Sequence, residues 1–296
     1  MQLCSRIGPL PYTGTMTNRS KTESVEYMLN SRGSIPDRQT AKQSGRFPHP
    51  AWCTIFAAGQ YYDEFPYTDK SSLIIAADGG LDYASSLGLT PDVFIGDNDS
   101  QMDLASRKEL SDQTTVIPLP AQKDDTDLMA AAKYGWSQGI RQFDIYGALG
   151  KQIDHTLSSI MLLARLAQAG GIGFLHGDHT IVTAICNATM TFPEGYVAPR
   201  RMISIFAQSD TCTDVTIKGL AYELSHETVT NHSDFGSRNE FRNNTASSIH
   251  VGSGTLIITY PSEAPYPTIV TRVKPLPSLG DLSRTVSQHL AATDKD

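Results

Sequence analysis

The sequence predicts an α/β domain with a mainly parallel sheet over residues 50–190, followed by a small all-β domain over residues 191–262. As far as about residue 190, short apolar runs take turns with helical patterns, which is typical of a helix-covered parallel sheet. After Pro193 the helical period disappears and strand-like runs follow one another. With 40% hydrophobic residues, the 296-residue chain has enough apolar material for a core.

The predicted elements follow from these patterns in chain order. Strands are predicted at 53–58, 73–77, 93–95, 143–146 and 174–175, and helices at 81–87, 127–136 and 155–169. The second domain has predicted strands at 202–207, 215–220, 222–229, 249–251 and 255–260, the last two as a hairpin across Gly252-Ser253-Gly254.

Two flanking segments differ from both domains. Residues 1–49 carry seven bases, three acids and many Ser and Thr without a sustained apolar period, so we expect no fixed fold there. That composition is typical of a basic tail or, as the less favoured alternative, of an organellar transit peptide. Residues 263–296 form a Pro-rich tail, and the prolines from Pro261 onward predict an unstructured stretch.

Charge and cysteine content narrow the class of protein. A net charge of −7 and a pI near 5.6 argue against a general nucleic-acid or membrane-surface binder and favour small-molecule substrates. The cysteines, at positions 4, 53, 186 and 212, lack zinc-ligand spacing, so we interpret them as reduced thiols of a cytoplasmic protein. No apolar stretch approaches the roughly 18 residues that span a bilayer, so we expect a soluble protein.

Acidic residues are concentrated in one part of the chain. Between Asp78 and Asp127 there are eleven carboxylates and three bases, a surplus that pairing along this stretch does not neutralise. The acids cluster at 78–80, 96–100 and 123–127. Because converging carboxylates in an enzyme usually hold a hard divalent ion, the clusters predict Mg²⁺ brought in with a polyphosphate.

The first two clusters each follow a predicted strand, at the end where open α/β sheets bind ligands. Asp78 precedes two glycines, which let backbone approach phosphate closely. The alternative for Asp78 is a turn in which it caps the next helix. For Asp97 and Asp99 the alternative is a solvated loop, although two carboxylates so close repel each other unless a cation lies between them.

The third cluster precedes a predicted helix that Thr126 can cap. A helix N-terminus attracts phosphate, Lys123 adds a point charge, and an acid among Asp124, Asp125 and Asp127 can hold the metal. An ordinary capped helix is the alternative.

A fourth motif, at 147–155, has glycines after a strand, then Lys151, and then Asp154 and His155 at a helix entrance. The alternatives are a helix cap for Asp154 and a solvent-facing ring for His155.

In order and spacing, these four motifs resemble those of thiamine pyrophosphokinase, and the resemblance runs from about Trp52 to Tyr260. It implies an α/β domain that binds ATP and metal and carries out catalysis, a thiamine-binding β-sandwich, and a homodimer with thiamine between subunits. The implied reaction is Mg²⁺-dependent transfer of a pyrophosphoryl group from ATP to the thiamine hydroxyl, by in-line attack on the β-phosphorus. The products are thiamine diphosphate and AMP.

Site roles follow from the motifs and the resemblance together. We predict Asp97, Asp99 and Asp127 as catalytic residues, and the same three with Asp78 as metal ligands. The predicted ATP contacts are Lys123, Asp124, Thr126, Lys151, Asp154 and His155. Residues 236–241 resemble the family's Ser-Asn-Glu-Phe segment, which makes Ser237 and Asn239 candidate thiamine contacts.

The chain departs from the family pattern at three points. Gln152 stands where Arg is usual, so a bidentate phosphate donor is absent there and Lys151 is the substitute. Arg238 stands where Ser is expected before Asn239. Some members stack thiamine on a sandwich tryptophan. Here both tryptophans, Trp52 and Trp136, lie in the first domain, which leaves Tyr222 or Phe241 as the candidate aromatic face.

Three other functions fit parts of the pattern. A pyrophosphokinase for a pterin alcohol would share the phosphate motifs. A metal-dependent phosphohydrolase would use Asp97 or Asp99 as a covalent nucleophile, but Gly-Thr or Gly-Val is then expected where Ser100-Gln101 stands. A non-catalytic nucleotide- or thiamine-binding protein would be expected to lose acidic residues that this chain retains.

Overall fold

The computed structural model of the protein describes residues 26–29, 52–62, 73–97, 114–233 and 236–287, without the side chain of Asp97. Its strands are β1 (Tyr27–Leu29), β2 (Trp52–Phe56), β3 (Leu73–Ala77), β4 (Val93–Asp97), β5 (Thr115–Leu119), β6 (Gln142–Tyr146), β7 (Ile172–Gly177), β8 (Thr180–Cys186), β9 (Ala188–Phe192), β10 (Met202–Ala207), β11 (Thr211–Lys218), β12 (Leu224–Thr230), β13 (Gly236–Glu240), β14 (Ser247–His250), β15 (Thr255–Pro261) and β16 (Thr268–Thr271). Its helices are α1 (Gly80–Ser86), α2 (Asp127–Ser137) and α3 (Ile153–Gln168).

A ten-stranded mixed sheet runs through both predicted domains, in the order β13-β10-β15-β8-β7-β6-β2-β3-β4-β5. Strands from β7 to β5 in this order are mutually parallel. The remaining four pair antiparallel, beginning with β8 on β7. The expected parallel part therefore exists, but the chain extends it with strands from the second predicted domain, and the boundaries at residues 190 and 262 stay predictions.

Helices cover both faces of the parallel strands. Every residue of β2, β3 and β6 is buried, as expected for strands covered on two sides. On one face Ile55 and Ile145 pack with Trp136 of α2 and Leu163 of α3. On the other face Phe56 packs with residues of α1, because neighbouring side chains of a strand point in opposite directions. Among the described residues, no helix is long and apolar enough to cross a membrane.

A second, six-stranded sheet has the order β1-β16-β9-β14-β11-β12, and all its pairs are antiparallel. It packs against the antiparallel part of the large sheet. The shared core includes Met190 and Ile249 from the small sheet and Ile205 and Ile258 from the large one. The second predicted domain is thus a β-sandwich, one layer of which continues the large sheet.

The predicted hairpin between 249–251 and 255–260 is wrong. β14 pairs with β9 and β11 in the small sheet, whereas β15 pairs with β8 and β10 in the large sheet. The Gly-rich connection passes from one layer of the sandwich to the other. A short turn between two apolar runs has the same sequence signature in a hairpin and in a connection between two sheets. The local pattern therefore does not distinguish a hairpin from such a connection.

The two flanking segments are also more ordered than expected where the structure describes them. Within 1–49, residues 27–29 form β1, which pairs with β16; the rest of the segment lies outside the described residues. The stretch after Pro261 contains β16, and the chain then packs along α2 and α3 as far as Ser287. The expectation of an unstructured tail is therefore wrong for residues up to 287.

Candidate active site

A cleft of about 570 Å³ opens at the carboxyl ends of the parallel strands. β2 lies between β3 and β6, so the chain proceeds to one side of β2 first and returns later to the other. Such a switch point leaves a gap between the loops that follow the two central strands, and open α/β sheets bind ligands there. The cleft lies in this gap, with α2 and α3 beginning at its rim.

The floor of the cleft is backbone from the ends of β2 and β6. The Gly59 N–H donates to the Gly147 carbonyl, and a Cβ on Gly59 would lie 2.3 Å from that oxygen. Gly147 has φ +66° and lies against the Tyr61 ring. The strand predicted from the sequence ends at Ala58, and the sequence pattern predicts no role for residues 57–59. The signal that was available is a Gly directly after an apolar strand.

Asp78 lines the cleft from the end of β3. Its backbone is left-handed, at φ +49°, and its N–H donates to the Ile95 carbonyl at 2.9 Å. The N-cap of α1 is Gly79, with no side-chain cap, so the alternative in which Asp78 caps the helix is wrong. A strained conformation for a non-glycine residue at the edge of a ligand cleft is typical of functional sites.

Asp97 ends β4, next to β3 and opposite Leu119 of β5. Its backbone therefore lies at the same edge of the sheet as Asp78. The Asp97 side chain and the whole of Asp99 lie outside the described residues. Among the residues that are described, no group of three or more His, Cys, Asp or Glu side chains is placed to hold a metal ion.

The loop before α2 carries Lys123, Thr126 and Asp127 into the cleft. Thr126 Oγ1 accepts from the Met129 N–H at 3.1 Å, which confirms the predicted cap. Lys123 Nζ lies 3.1 Å from Asp127 Oδ1 and donates to the Pro120 carbonyl at 3.2 Å. With its side chain only 5% exposed, Lys123 holds a positive charge at a fixed place in the wall.

The acidic surplus is smaller than it looks along the chain. Asp125 pairs with Lys133, six residues beyond the acidic stretch, at 2.5 Å between Nζ and Oδ2. Asp92 is buried, and its Oδ2 accepts from the Ile74 N–H at 2.9 Å. Asp124 is not part of the cleft wall; its carboxylate accepts from the Ser287 hydroxyl. Tertiary contacts thus compensate several of the carboxylates that the sequence left unpaired.

The loop from Gly147 to α3 forms the opposite wall. Lys151 is left-handed, at φ +55°, and its Nζ donates to the Ala58 carbonyl at 2.8 Å. The helix begins at Ile153, and its N-cap, Gln152, makes no side-chain cap bond. His155 lines the cleft, whereas Asp154 is exposed and accepts from the His155 N–H at 2.9 Å. Ser158 and Ser159 of α3 also face the cleft, without a local motif that could have revealed them.

The two predicted thiamine contacts lie elsewhere in the chain. Ser237 and Asn239 belong to β13, at the far edge of the large sheet, and neither lines the cleft. Asn239 is 4% exposed and makes two hydrogen bonds to the backbone of Tyr222. Its Oδ1 accepts from the Tyr222 N–H at 3.0 Å, and its Nδ2 donates to the Tyr222 carbonyl at 2.6 Å. One chain therefore brings together Asp78, Lys123, Thr126, Asp127, Lys151 and His155, but not Asp124, Asp154, Ser237 or Asn239.

Burial affects the protonation of two groups, one in β2 and one in the loop that follows it. Burial raises the pKa of the Tyr61 hydroxyl, with a smaller contribution from Tyr83, on which the ring stacks at 3.5 Å between centroids. The neutral hydroxyl donates to the Ala57 carbonyl at 2.5 Å and so fixes the end of β2. Burial, with Asp92 and Asp144 nearby, also raises the pKa of the Cys53 thiol, which makes it unsuited to act as a nucleophile.

Two family models match the chain. Residues 66–172 match "Thiamin pyrophosphokinase, catalytic domain" and residues 189–256 match "Thiamin pyrophosphokinase, vitamin B1 binding domain". Together they cover more than half of the chain. The thiamine pyrophosphokinase of Bacillus subtilis is 26% identical over 169 residues, which are 55% of this chain and 76% of that protein.

Solved structures share the fold. The crystal structure of the Bacillus subtilis enzyme matches with a TM-score of 0.63 at 23% identity. The match covers 99% of that chain and 72% of this one. Thiamin pyrophosphokinase from Candida albicans has a TM-score of 0.59 at 12% identity, with 81% of this chain and 100% of that chain covered. The catalytic-domain model matches the first structural unit and the vitamin B1 binding model matches the second. This chain therefore belongs to the thiamin pyrophosphokinase family, the thiamine diphosphokinases.

Proposed function

We propose that this member of the family transfers the pyrophosphoryl group of ATP to the hydroxyl of thiamine, giving thiamine diphosphate and AMP. The observation that carries the proposal is the cleft at the switch point, where Asp78 and Asp127 lie with Lys123, Lys151 and two helix N-termini. Carboxylates beside cations and free N–H groups suit a metal-bound polyphosphate. The vitamin B1 binding model favours thiamine over a pterin alcohol as the acceptor.

The phosphates of ATP occupy the space between the two loops. Lys123 and Lys151 approach it from opposite walls, and α2 and α3 direct their N-termini toward it. Each N-terminus contributes free N–H groups and about half a positive charge. Thr126 and His155, one on each wall, add polar groups to the lining.

Mg²⁺ is the proposed metal, held by Asp78, Asp97, Asp99 and Asp127. Asp78 and Asp127 line the cleft and the Asp97 backbone lies at the same sheet edge, so the oxygen donors present suit a hard cation. When bound, Mg²⁺ would neutralise charge on the phosphates of ATP. Asp127 also contacts Lys123, so its carboxylate would serve both that lysine and the metal.

In the proposed reaction the chain positions the two substrates and neutralises charge. The thiamine hydroxyl oxygen attacks the β-phosphorus in line, a new O–P bond forms, and the bond from the β-phosphorus to the oxygen shared with the α-phosphate breaks. AMP leaves with that oxygen. The proton of the hydroxyl passes to one of the carboxylates of the cleft, which are already at the sheet edge.

A homodimer with thiamine between subunits is part of the proposal. From β13 to β2 there are six strand-to-strand steps, which at about 4.8 Å each place Asn239 on the order of 25–30 Å from the cleft of its own chain. A site that uses both the cleft and β13 therefore needs a second copy. We propose ATP and thiamine as the partners, without nucleic acid or membrane, and a cytoplasmic location. Fractionation of cells that express the tagged chain tests the location. The molar mass from light scattering tests the dimer.

The test of the activity is direct. The purified chain is incubated with ATP, MgCl₂ and thiamine, and AMP and thiamine diphosphate are measured by chromatography. We expect the two products in equal amounts, and loss of turnover in Asp97→Asn with an unchanged circular dichroism spectrum. Absence of both products under varied divalent metal contradicts the proposed reaction, and near-normal AMP release by Asp97→Asn contradicts the metal ligands.

A further inference from the structure

Residues 275–287, here named the C-terminal arm, belong to the active-site half of the molecule although they follow the sandwich in sequence. The arm begins where α2 and α3 end: the Leu276 carbonyl accepts from Trp136 Nε1 at 3.0 Å, and the Leu276 N–H donates to the Ala169 carbonyl at 2.9 Å. Leu279 is 5% exposed and lies in the core of the α/β half.

From there the arm runs back along the helices toward the cleft. Arg165 of α3 donates to the Leu279 carbonyl at 2.6 Å, and Lys133 of α2 donates to the Asp281 carbonyl at 2.9 Å. The contacts thus move from the C-terminal ends of both helices toward the N-terminal end of α2. The arm is fastened on both sides before it reaches the loop that carries Lys123.

At that loop the arm holds the two acids that precede Thr126. Ser283 Oγ donates to Asp125 Oδ2 at 3.0 Å, beside the Lys133 ion pair. The Ser287 hydroxyl donates to the Asp124 carboxylate, and the Ser287 N–H donates to the Gln122 carbonyl at 2.9 Å. The loop is therefore bound to the arm through side chains and through backbone.

These contacts provide a partner in the arm for each of the two adjacent acids of the loop. Asp124 and Asp125 both accept from hydroxyls of the arm; Asp125 also lines the cleft, whereas Asp124 does not, and Lys123 and Asp127 form an ion pair in the cleft wall. Adjacent carboxylates repel each other, and a hydrogen-bond donor or a cation beside each one offsets that repulsion. Donors from the arm satisfy both acids in the observed arrangement, in which Lys123 lines the cleft proposed for the phosphates.

We infer that Ser287 and Ser283 are positioning residues that hold the 122–127 loop for phosphate binding, and that Asp124 is an anchor for the arm, not an ATP contact. The inference rests on the phosphate role proposed above for Lys123. A displacement of about 1 Å in a positioning group is enough to weaken transition-state contacts strongly, so the arm influences catalysis without touching substrate.

The experiment is a double-mutant cycle on the full chain. Ser287→Ala, Asp124→Ala and the double variant are compared for the KM of ATP, the KM of thiamine, kcat and Tm. We expect Ser287→Ala to raise the KM of ATP about threefold to tenfold and to leave the KM of thiamine unchanged. The KM of ATP for the double variant should equal that for Asp124→Ala, because either substitution alone already removes the contact between the two side chains.

Ser278→Ala is the matched control, because Ser278 lies in the same arm and its hydroxyl accepts from the Gly280 N–H at 2.9 Å, with no bond to the described residues of the loop. It should leave the KM of ATP unchanged. Ser283→Ala repeats the test at the second contact should Ser287→Ala fail to fold. The inference is overturned if Ser287→Ala lowers Tm but not the affinity for ATP, or if its effect adds to that of Asp124→Ala.

Lys123→Ala separates this inference from the function on which it rests. If Lys123→Ala leaves the KM of ATP unchanged, the proposed phosphate role of the loop is wrong and the inference falls with it. If Lys123→Ala raises that KM and neither serine variant does, the proposed function stands and only the positioning role of the arm is wrong.

Discussion

The two loops that border the cleft perform similar tasks by different means. Each follows a parallel strand and begins a helix, but the 122–127 loop is held by side chains: the Thr126 cap, two lysine ion pairs and the C-terminal arm. The 147–152 loop is shaped by backbone, with Gly147, Gly150 and Lys151 all at positive φ and no side-chain cap on α3. Loss of polar partners should therefore destabilise the first loop, and added side-chain volume should destabilise the second.

The largest expected loss of stability is at Lys133, whose side chain is 8% exposed against 11% for its partner Asp125. Lys133→Met leaves a carboxylate without its cation, and breaking a buried pair in this way costs about 3–5 kcal/mol. Urea denaturation measures the change. The double variant Lys133→Met/Asp125→Asn should regain part of the loss, because no unpaired charge remains; equal losses in both would mean that the pair does not hold the first loop.

Gly147→Ala tests the backbone-shaped loop. A Cβ there would lie 2.4 Å from the Tyr61 ring and 2.6 Å from the Ala57 carbonyl, at φ +66°. Strain and overpacking together should cost about 2–4 kcal/mol in the free energy of unfolding. Gly88→Ala is the control, because Gly88 has φ +69° and, apart from its chain neighbours, no described residue has an atom within 4 Å of a Cβ there, so the backbone strain of about 1–2 kcal/mol dominates. Similar losses at both positions would contradict close packing at Gly147.

The helix caps provide a smaller contrast. Thr126→Ala removes the bond to the Met129 N–H and should cost about 1 kcal/mol. Gln152→Ala, at the N-cap of α3, removes no cap bond and should change the free energy of unfolding by less than about 0.5 kcal/mol. Chemical denaturation of both variants checks the difference, and a reversed order would show that the two loops are not fastened as described.

Lys151→Ala should have the smallest effect on stability, since the side chain is exposed and its hydrogen bond to a described residue is the one to the Ala58 carbonyl. We expect a change within about 0.5 kcal/mol in the free energy of unfolding. The KM of ATP should nevertheless rise severalfold, because a cation beside the proposed phosphates is lost. Steady-state kinetics with varied ATP measure this, and an unchanged KM would remove Lys151 from the phosphate site.

Features that depend on neighbours in sequence were predicted well. The strand 73–77, the strand 202–207 and the start of α2 after Thr126 match the structure, because periodicity and capping act over one or two turns. Within the described part of the chain, six strands have no counterpart among the predicted ones, namely β1, β5, β8, β9, β13 and β16. β5 contains Pro118 and lies at the sheet edge, where proline is tolerated, so its sequence is a weak strand signal.

By itself the sequence determined the acidic and glycine motifs, their order after strands and before helices, and through them the family. Only the tertiary structure decided which acids face the cleft, that Asp125 meets Lys133 and Asp124 meets Ser287, and that β14 and β15 belong to different sheets. The reason is the separation of the interacting residues along the sequence. Helix caps and hydrophobic periodicity depend on residues a few positions apart. The partner of a carboxylate or of a strand edge is instead set by packing among segments distant along the chain, here 163 residues for Asp124 and Ser287.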